Sequence, residues 1–232
     1  MELKGYSRKA ARSVQSTFSD HEYRLWYLDD AARFIEQHFS PEVLRAFDTL
    51  VPYAYKADVF KLCLLKVLGG WVVDIGVRML RSPLAPIIVE QQPEFVVFRS
   101  TGVWDPPWNC SLALVYAKPG HAVFDTALDS IVEHCGSRYY GSTPLMPTMS
   151  PFGRALACHQ VHENIRIGNV VDVRLRSFRR GFALNPNGLV AARKPASVSA
   201  GDIASIGVAG TNAYNQLWRA RKVYGEGDDQ HP

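Results

Sequence analysis

The chain has 232 residues, 47% of them hydrophobic and 21% charged, with a formal net charge of +4. That length supports one domain with a full core, and the composition is ordinary for a soluble globular protein. The mild positive charge suits an anionic small ligand or surface and does not demand nucleic acid. No apolar run reaches the roughly 18 residues of a membrane span, and Met1-Glu2-Leu3-Lys4-Gly5-Tyr6 lacks a signal-peptide core. Cys63, Cys110, Cys135 and Cys158 form no CxxC pair. They read as reduced thiols in a cytoplasmic setting, with two disulfides as the alternative.

In chain order, Ser7 to Phe18 reads as a short basic helix. Tyr23 to Leu28 alternates and is rich in aromatics, the pattern of a strand. A helix follows from about Ala31 to His38, with Phe34 and Ile35 inward and Asp30 as its cap. Ser40-Pro41 opens another, since proline's missing N–H costs nothing in a first turn. Val43, Leu44, Phe47 and Leu50 form its apolar face. From Tyr55 onward, Val59, Phe60, Cys63, Leu64, Val67 and Leu68 keep the spacing of one buried helix face. Gly69-Gly70 stops that helix, because glycine tolerates the left-handed turn a helix end often needs. Trp71 to Ile75 then reads as a short strand buried on both faces of an α/β sheet, with Asp74 at its carboxyl end.

Arg81 to Pro86 reads as loop, and Ile87 to Val89 and Phe95 to Phe98 as strands parted by a turn at Gln91-Gln92-Pro93. Asp105-Pro106-Pro107-Trp108 is a rigid loop, and Asn109 to Tyr116 fits a helix or a strand. Ala122 to His134 reads as an amphipathic helix, Ser142 to Phe152 as a proline-rich loop, and Phe152 to Cys158 as a helix. Asn169 to Val173 reads as a strand, Phe178 to Asn187 as turn-rich, and Leu189 to Ser205 as the least structured part of the core. Ala213 to Val223 reads as a C-terminal helix. The cluster Arg174, Arg176, Arg179 and Arg180 reads as a solvated strand edge or loop. Strands alternating with helices give an α/β class. No repeat or linker divides the chain, so one domain is expected over residues 1–224 with a polar tail at 225–232.

Ligands bind outside the carboxyl ends of strands in open α/β sheets. Asp74, with Asp58 and Lys61 on the preceding helix, is therefore a candidate polar site. Lys61 lies one helical turn after Asp58 and shares its face. Cys158-His159-Gln160-Val161-His162-Glu163 lacks the further ligands a zinc site needs. The chain has no GxxxxGK[ST] loop and no Gly-x-Ser-x-Gly elbow.

Ala57-Asp58-Val59-Phe60-Lys61 and, after the apolar helix, Gly69-Gly70-Trp71-Val72-Val73-Asp74-Ile75-Gly76 resemble one family pattern without a gap. The pattern is Ala-Asp-x-x-Arg followed by Gly-Gly-x-Tyr-x-Asp-x-Asp. It belongs to the DXD-containing glycosyltransferase family, which includes yeast initiating mannosyltransferases and the glucosyltransferase domains of large clostridial toxins. The resemblance implies a single GT-A-like (Rossmann-like) α/β domain. It also implies retaining transfer of a sugar from a nucleotide diphosphate sugar to a hydroxyl acceptor on a glycan, polysaccharide or small molecule. By that resemblance Asp58 and Asp74 are the catalytic residues. Asp58 accepts hydrogen bonds from the sugar hydroxyls, Asp74 contacts the donor ribose or metal-bound diphosphate, and Lys61 neutralises phosphate charge. Trp108-Asn109, followed by Ala117-Lys118-Pro119-Gly120-His121, resembles the family's segment in which an asparagine faces the sugar. Gly210-Thr211-Asn212-Ala213-Tyr214, with Trp218 and Val223-Tyr224, resembles its C-terminal closing segment. Asn109 and Asn212 are then donor-binding, and Asp74 and Asn212 are the implied ligands of a divalent metal, Mn²⁺ or Mg²⁺. Thr148-Met149-Ser150-Pro151 stands where the family often has Thr-Gly-Pro and is read as loop shape.

Three positions depart from the pattern. Lys61 replaces arginine and offers a point charge in place of a bidentate fork. Val72 replaces tyrosine. Gly76 replaces the second acid and supplies no metal ligand. Three outcomes follow: weaker metal binding carried by Asp74 and the C-terminal segment, a metal-independent site, or lost activity. The last would make the chain a degenerate, non-catalytic sugar- or partner-binding relative. The family's opening strand, of the type Ile-Pro-Lys-Ile-Ile-His-Gln, has no counterpart before Tyr23. A truncated start, a substitute segment and an altered nucleotide pocket are the alternatives. No second carboxylate stands as a base, which fits a leaving phosphate that assists deprotonation of the acceptor. The expected partners are a nucleotide sugar and a hydroxyl acceptor, with no nucleic acid and no membrane span.

Overall fold

A computed structural model describes residues 3, 5–80, 84, 91–100, 106–159, 164–175, 178–195 and 213–225. The elements run α1 (Gly5–Thr17), α2 (Leu28–His38), α3 (Pro41–Thr49), α4 (Tyr53–Val67), β1 (Gly70–Val73), β2 (Arg78–Met79), β3 (Phe95–Ser100) and β4 (Leu114–Ala117). They continue with α5 (Val123–Gly136), α6 (Met149–Cys158), β5 (Ile165–Leu175), β6 (Phe178–Leu184), β7 (Val190–Pro195) and α7 (Tyr214–Arg219). The strands form one mixed sheet in the order β1-β4-β3-β5-β6-β7-β2. Only β3 and β5 run parallel; every other neighbour is antiparallel.

Side-chain alternation along the sheet separates two cores. On β3, Phe95 and Val97 face a helical layer that holds Phe47, Val59, Leu62, Phe124 and Phe152. Val96 and Phe98 face the opposite side, with Phe18, Val77, Met79, Leu84, Leu114 and Ala192. β4 repeats the division, with Val115 and Ala117 on the first face and Leu114 on the second. At β3 and β4 both faces are therefore covered, and these two strands read as apolar runs. Helix α4 is enclosed on most sides, because Tyr55, Val59, Phe60, Leu62, Cys63, Leu64 and Leu65 are all buried.

The expected helices at α1, α3, α4 and α5 and the strands at β1, β3 and β5 stand within a few residues of their sequence bounds. Asp30 is placed at the third helical position of α2, where its carboxylate accepts the Tyr27 N–H at 3.3 Å. The ambiguous run from Asn109 to Tyr116 is strand only at its end, where β4 begins at Leu114, and neither helix nor strand before it. Helix α6 begins at Met149, inside the segment expected to be loop, and the C-terminal helix is only Tyr214–Arg219.

Four expectations are corrected. Tyr23 to Leu28 is not a strand. Trp26 is spent on ring contacts with Phe34 and Phe60, at 5.6 and 5.2 Å between centroids, and Leu28 already starts α2. Leu68 does not join the buried face of α4; it is 57% exposed because the helix ends at Val67. Phe178 to Leu184 is strand β6 rather than turn, and Val190 to Pro195 is strand β7 rather than irregular chain. Both are made by ladder pairing with neighbouring strands, which local propensity does not register. Ile87 to Val89, most of Arg81 to Pro86, Asp105 and the tail beyond Gly225 lie outside the described residues. Among the described residues, no strand precedes β1. No helix among them is long and apolar enough to cross a membrane. All four cysteines are free thiols, as the reduced reading expects.

The connection from β1 to β2 shapes the sheet. These strands occupy opposite ends of the strand order, yet only residues 74–77 separate them. The reach from Val73 to Arg78 is at most about 18 Å, so the sheet curls until its ends meet. Helix α1 then covers the outer edge of β2, where the Met79 N–H donates to Ser13 Oγ at 2.9 Å. A covered edge cannot template pairing with another chain.

The C-terminal segment is fastened to the helical layer. Trp218 Nε1 donates to Tyr140 O at 2.8 Å, and the Tyr224 hydroxyl donates to Tyr139 O. Val51 N–H donates to Val223 O at 2.8 Å, and Gly225 N–H to Thr49 O at 2.7 Å. The Tyr55 ring lies tilted against Tyr214 at 5.7 Å, and its hydroxyl donates to Pro144 O.

Gly153 lies in α6 where the helix meets the 108–110 segment; a Cβ there would stand 2.0 Å from Trp108 O. Gly153→Ala is expected to cost about 1–3 kcal/mol by overpacking, read as a fall in the thermal midpoint. Gly136→Ala, with nothing within 4 Å of its added Cβ, should leave the midpoint unchanged or slightly raised.

Burial pushes the Tyr55 and Tyr224 phenols up, and the Cys110 and Cys135 thiols to about 12. In the unfolded chain these groups titrate at about 8.5 for thiols and about 10 for phenols. Above those values the unfolded state holds fewer protons than the folded state, so stability falls as pH rises. Lys56, pushed down by burial, opposes this in part. The midpoint should decline from about pH 8.5 upward and more steeply above about 10, and Tyr55→Phe should flatten the second part. A profile flat to pH 11 would contradict the burial of these groups.

Candidate functional site

Three of the residues picked out in the sequence converge at the carboxyl end of β1. Asp58 and Lys61 project from one face of α4, with Lys61 Nζ 3.6 Å from Asp58 Oδ1. The same ammonium donates a hydrogen bond to Asp74 Oδ1. The side chains of Lys61, Asp58 and Asp74 are 12, 15 and 24% exposed, so the cluster is largely withdrawn from water yet open at Asp74. One ammonium between two carboxylates leaves the group one negative charge in excess.

The local fold explains the placement. Gly69 takes φ +65° and Gly70 φ +88°, the left-handed region glycine occupies without a Cβ penalty. A Cβ on Gly69 would also stand 2.7 Å from Pro119 Cδ. The pair turns the chain sharply from α4 into β1, bringing Asp74 back beside the helix it left. Asp74 N–H donates to Ala113 O and Val77 N–H donates to Asp74 O, both at 2.8 Å. The strand end and the turn after it are thereby held by backbone bonds on either side. Gly76, by contrast, has no left-handed backbone requirement, and a Cβ added there would meet nothing within 4 Å. Its lack of a side chain is a chemical difference from the family pattern rather than a steric one.

Helix α6 supports the cluster from the far side. Thr148, just before α6, donates from Oγ1 to Asp58 Oδ2 at 2.9 Å. Two residues on, Ser150 Oγ donates to Asn109 Oδ1 at 3.1 Å. Asn109 is fully buried, and its Nδ2 has no hydrogen-bond partner. It faces the start of α6 rather than an open surface, two helix positions from the threonine that holds Asp58. Thr148 was legible only as loop shape; its position within Thr-Met-Ser-Pro was the one available signal. Asn212 lies outside the described residues.

The described residues do not make a divalent-ion site. Asp74 is already bonded to an ammonium, Gly76 offers no side-chain oxygen, and no group of three or more His, Cys, Asp or Glu among the described residues could hold a metal. In the histidine segment His159 Nε2 is 2.7 Å from Thr126 Oγ1, and Gln160 to Glu163 lie outside the described residues.

No protein-family model matches the chain, and no curated protein matches it. Among solved structures it is similar to PaToxG glycosyltransferase. The TM-score is 0.50 at 13% identity, and the match covers 68% of this chain and 64% of PaToxG. The likeness is one of fold. This chain thus has a mixed α/β, GT-A-like architecture, as its element order and the resemblance of the α4–β1 stretch imply.

Lys61→Met would leave two half-buried carboxylates without their shared cation. It should destabilise the fold by about 1–3 kcal/mol, between the values for exposed and buried pairs. Adding Asp74→Asn to that variant should recover part of the loss. Strict additivity in this double-mutant cycle would show that the two groups do not interact.

Proposed function

We propose that the protein is a glycosyltransferase that moves a sugar from a nucleotide diphosphate sugar to a hydroxyl acceptor, with retention at the anomeric carbon. The carrying observation is the meeting of Asp58, Lys61 and Asp74 at the end of β1 in a fold similar to a glycosyltransferase. The resemblance to the DXD-containing family's pattern at the same residues supports it.

In this reading Asp58, oriented by Thr148, accepts hydrogen bonds from the hydroxyls of the transferred sugar, since each carboxylate oxygen accepts more than one. Asp74 binds the donor ribose. Lys61 is the cation nearest the leaving diphosphate and stabilises its growing charge, which a largely withdrawn site makes more effective. Asn109 is a positioning residue acting through Ser150 and the start of α6, and Asn212 is assigned to the donor phosphates. No step is routed through a metal. The leaving phosphate itself assists removal of the acceptor proton. A titration against nucleotide sugars reads out the donor sugar and the nucleotide.

Nucleotide sugars are titrated in a thermal-shift assay with Mn²⁺ and with a chelator, because a ligand that binds only the native state raises the midpoint. One nucleotide sugar should raise it equally in both conditions, and Asp74→Asn should abolish the shift and donor turnover while leaving the unliganded midpoint within a few degrees. Gly76→Asp, which the backbone and surrounding space admit, should add a Mn²⁺-dependent shift. No response to any nucleotide sugar, or full turnover by Asp74→Asn, would overturn the reading in favour of a non-catalytic binding relative.

A further inference from the structure

We propose that the basic pocket between α1 and β2 is a binding site for a phosphate-bearing anion. The proposal does not rest on the transfer reading. The pocket has a volume of about 540 Å³ and is lined by Lys9, Arg12, Ser13, Arg78, Met79 and Leu80. That size is in the range of small-molecule sites. Three of these six side chains are cationic and none is acidic.

The charge is unbalanced beyond the lining itself. Helix α1, Gly5–Thr17, contains Arg8, Lys9 and Arg12 and no acid. Lys9 and Arg12 are three residues apart, so they share a face of the helix. Arg78 on β2 stands directly opposite Arg193 on β7 in the antiparallel register, and like charges in that position repel. Arg193 Nε is buried without a hydrogen-bond partner. The described ion pairs engage Arg33, Arg45, Lys61, Lys66 and His121, and none reaches Lys9, Arg12, Arg78 or Arg193. The donor cluster at Asp74 carries its own counter-charges, whereas this pocket gathers cations with no described counter-ion.

The cations are also held on elements that cannot drift apart. Ala10 is 1% exposed and seats α1. Phe18, just after the helix, stacks on Trp71 of β1 at 5.1 Å. Ser13 Oγ accepts the Met79 N–H and donates to Ala10 O at 2.6 Å. The serine is committed to holding helix and strand together, and the ligand contacts fall to the guanidinium and ammonium groups. Guanidinium forks match phosphate oxygens bidentately. A pyrophosphate or phosphomonoester group fits this chemistry, whether free in solution or on a lipid headgroup.

The test is calorimetric titration of the full chain at low salt with inorganic pyrophosphate. Saturable binding is expected. Arg12→Gln combined with Arg78→Gln should weaken it at least tenfold, about the effect of losing one charge-assisted hydrogen bond. Lys9→Gln, at an exposed helix position away from the core, should weaken it by a smaller factor and serves if the double variant fails to fold. Arg33→Gln on α2 removes the same charge elsewhere and should change binding by less than about twofold. Absence of pyrophosphate binding, or equal weakening by Arg33→Gln, would overturn the proposal. Loss of the nucleotide-sugar shift together with pyrophosphate binding in the double variant would also overturn it, by assigning these cations to the donor site. Phosphatidylcholine vesicles with and without a phosphoinositide form the second arm. Preferential, Arg78-dependent binding to the phosphoinositide vesicles assigns the phosphate to a lipid, and binding of pyrophosphate alone assigns it to a soluble compound.

Discussion

The short span from Val73 to Arg78 constrains most of this structure. It joins the two ends of a seven-stranded sheet. A chain that short cannot bridge an open sheet of that width, so the sheet must curl. Curling creates the second core, in which Val77 and Met79 from one end meet Val96, Phe98 and Leu114 from the middle. It also sets where chemistry can occur. Asp74 lies in the joint itself, fixed by hydrogen bonds to the backbone on both sides, and the sheet edge made by β2 is sealed by α1.

Charge is arranged in two ways around that joint. On the α4 side, Lys61 sits between Asp58 and Asp74, so the acids are oriented and partly neutralised before any ligand arrives. Preorganisation of this kind avoids reorganisation during reaction. On the α1 side the cations converge, and no described ion pair engages them. The contrast separates a cluster of opposed charges from one of like charges.

Much of the site was legible because its parts are close in sequence. Asp58 and Lys61 share a helix face through the three-residue spacing alone, and Gly69-Gly70 marks the turn that returns Asp74 to them. What failed to show was made by distant contacts. Thr148 reaches Asp58 across 90 positions, and its place in Thr-Met-Ser-Pro signals no more than loop shape. Asn109 looked like a residue facing a ligand, yet it is buried against Ser150, because α6 approaches the 108–110 segment closely enough to need Gly153. Strands β6 and β7 were hidden for a related reason. The Arg-rich and Gly-containing run at 178–184 has little strand propensity of its own and is ordered by seven paired positions on β5. The opposite error at Tyr23 to Leu28 came from alternation with no partner strand to use it.

The sequence alone therefore determined the α4–Gly-Gly–β1 unit, its α/β class, the reduced cysteines and three members of the polar cluster. These depend on helix periodicity, glycine's access to the left-handed region, and residue spacings of a few positions. Only the tertiary structure decided the strand order, the curl, the Thr148 and Ser150 contacts, and the meeting of Lys9 and Arg12 with Arg78. Each of these joins residues far apart in the chain, and such contacts form only when two covered faces and a short connection leave one arrangement that buries both cores.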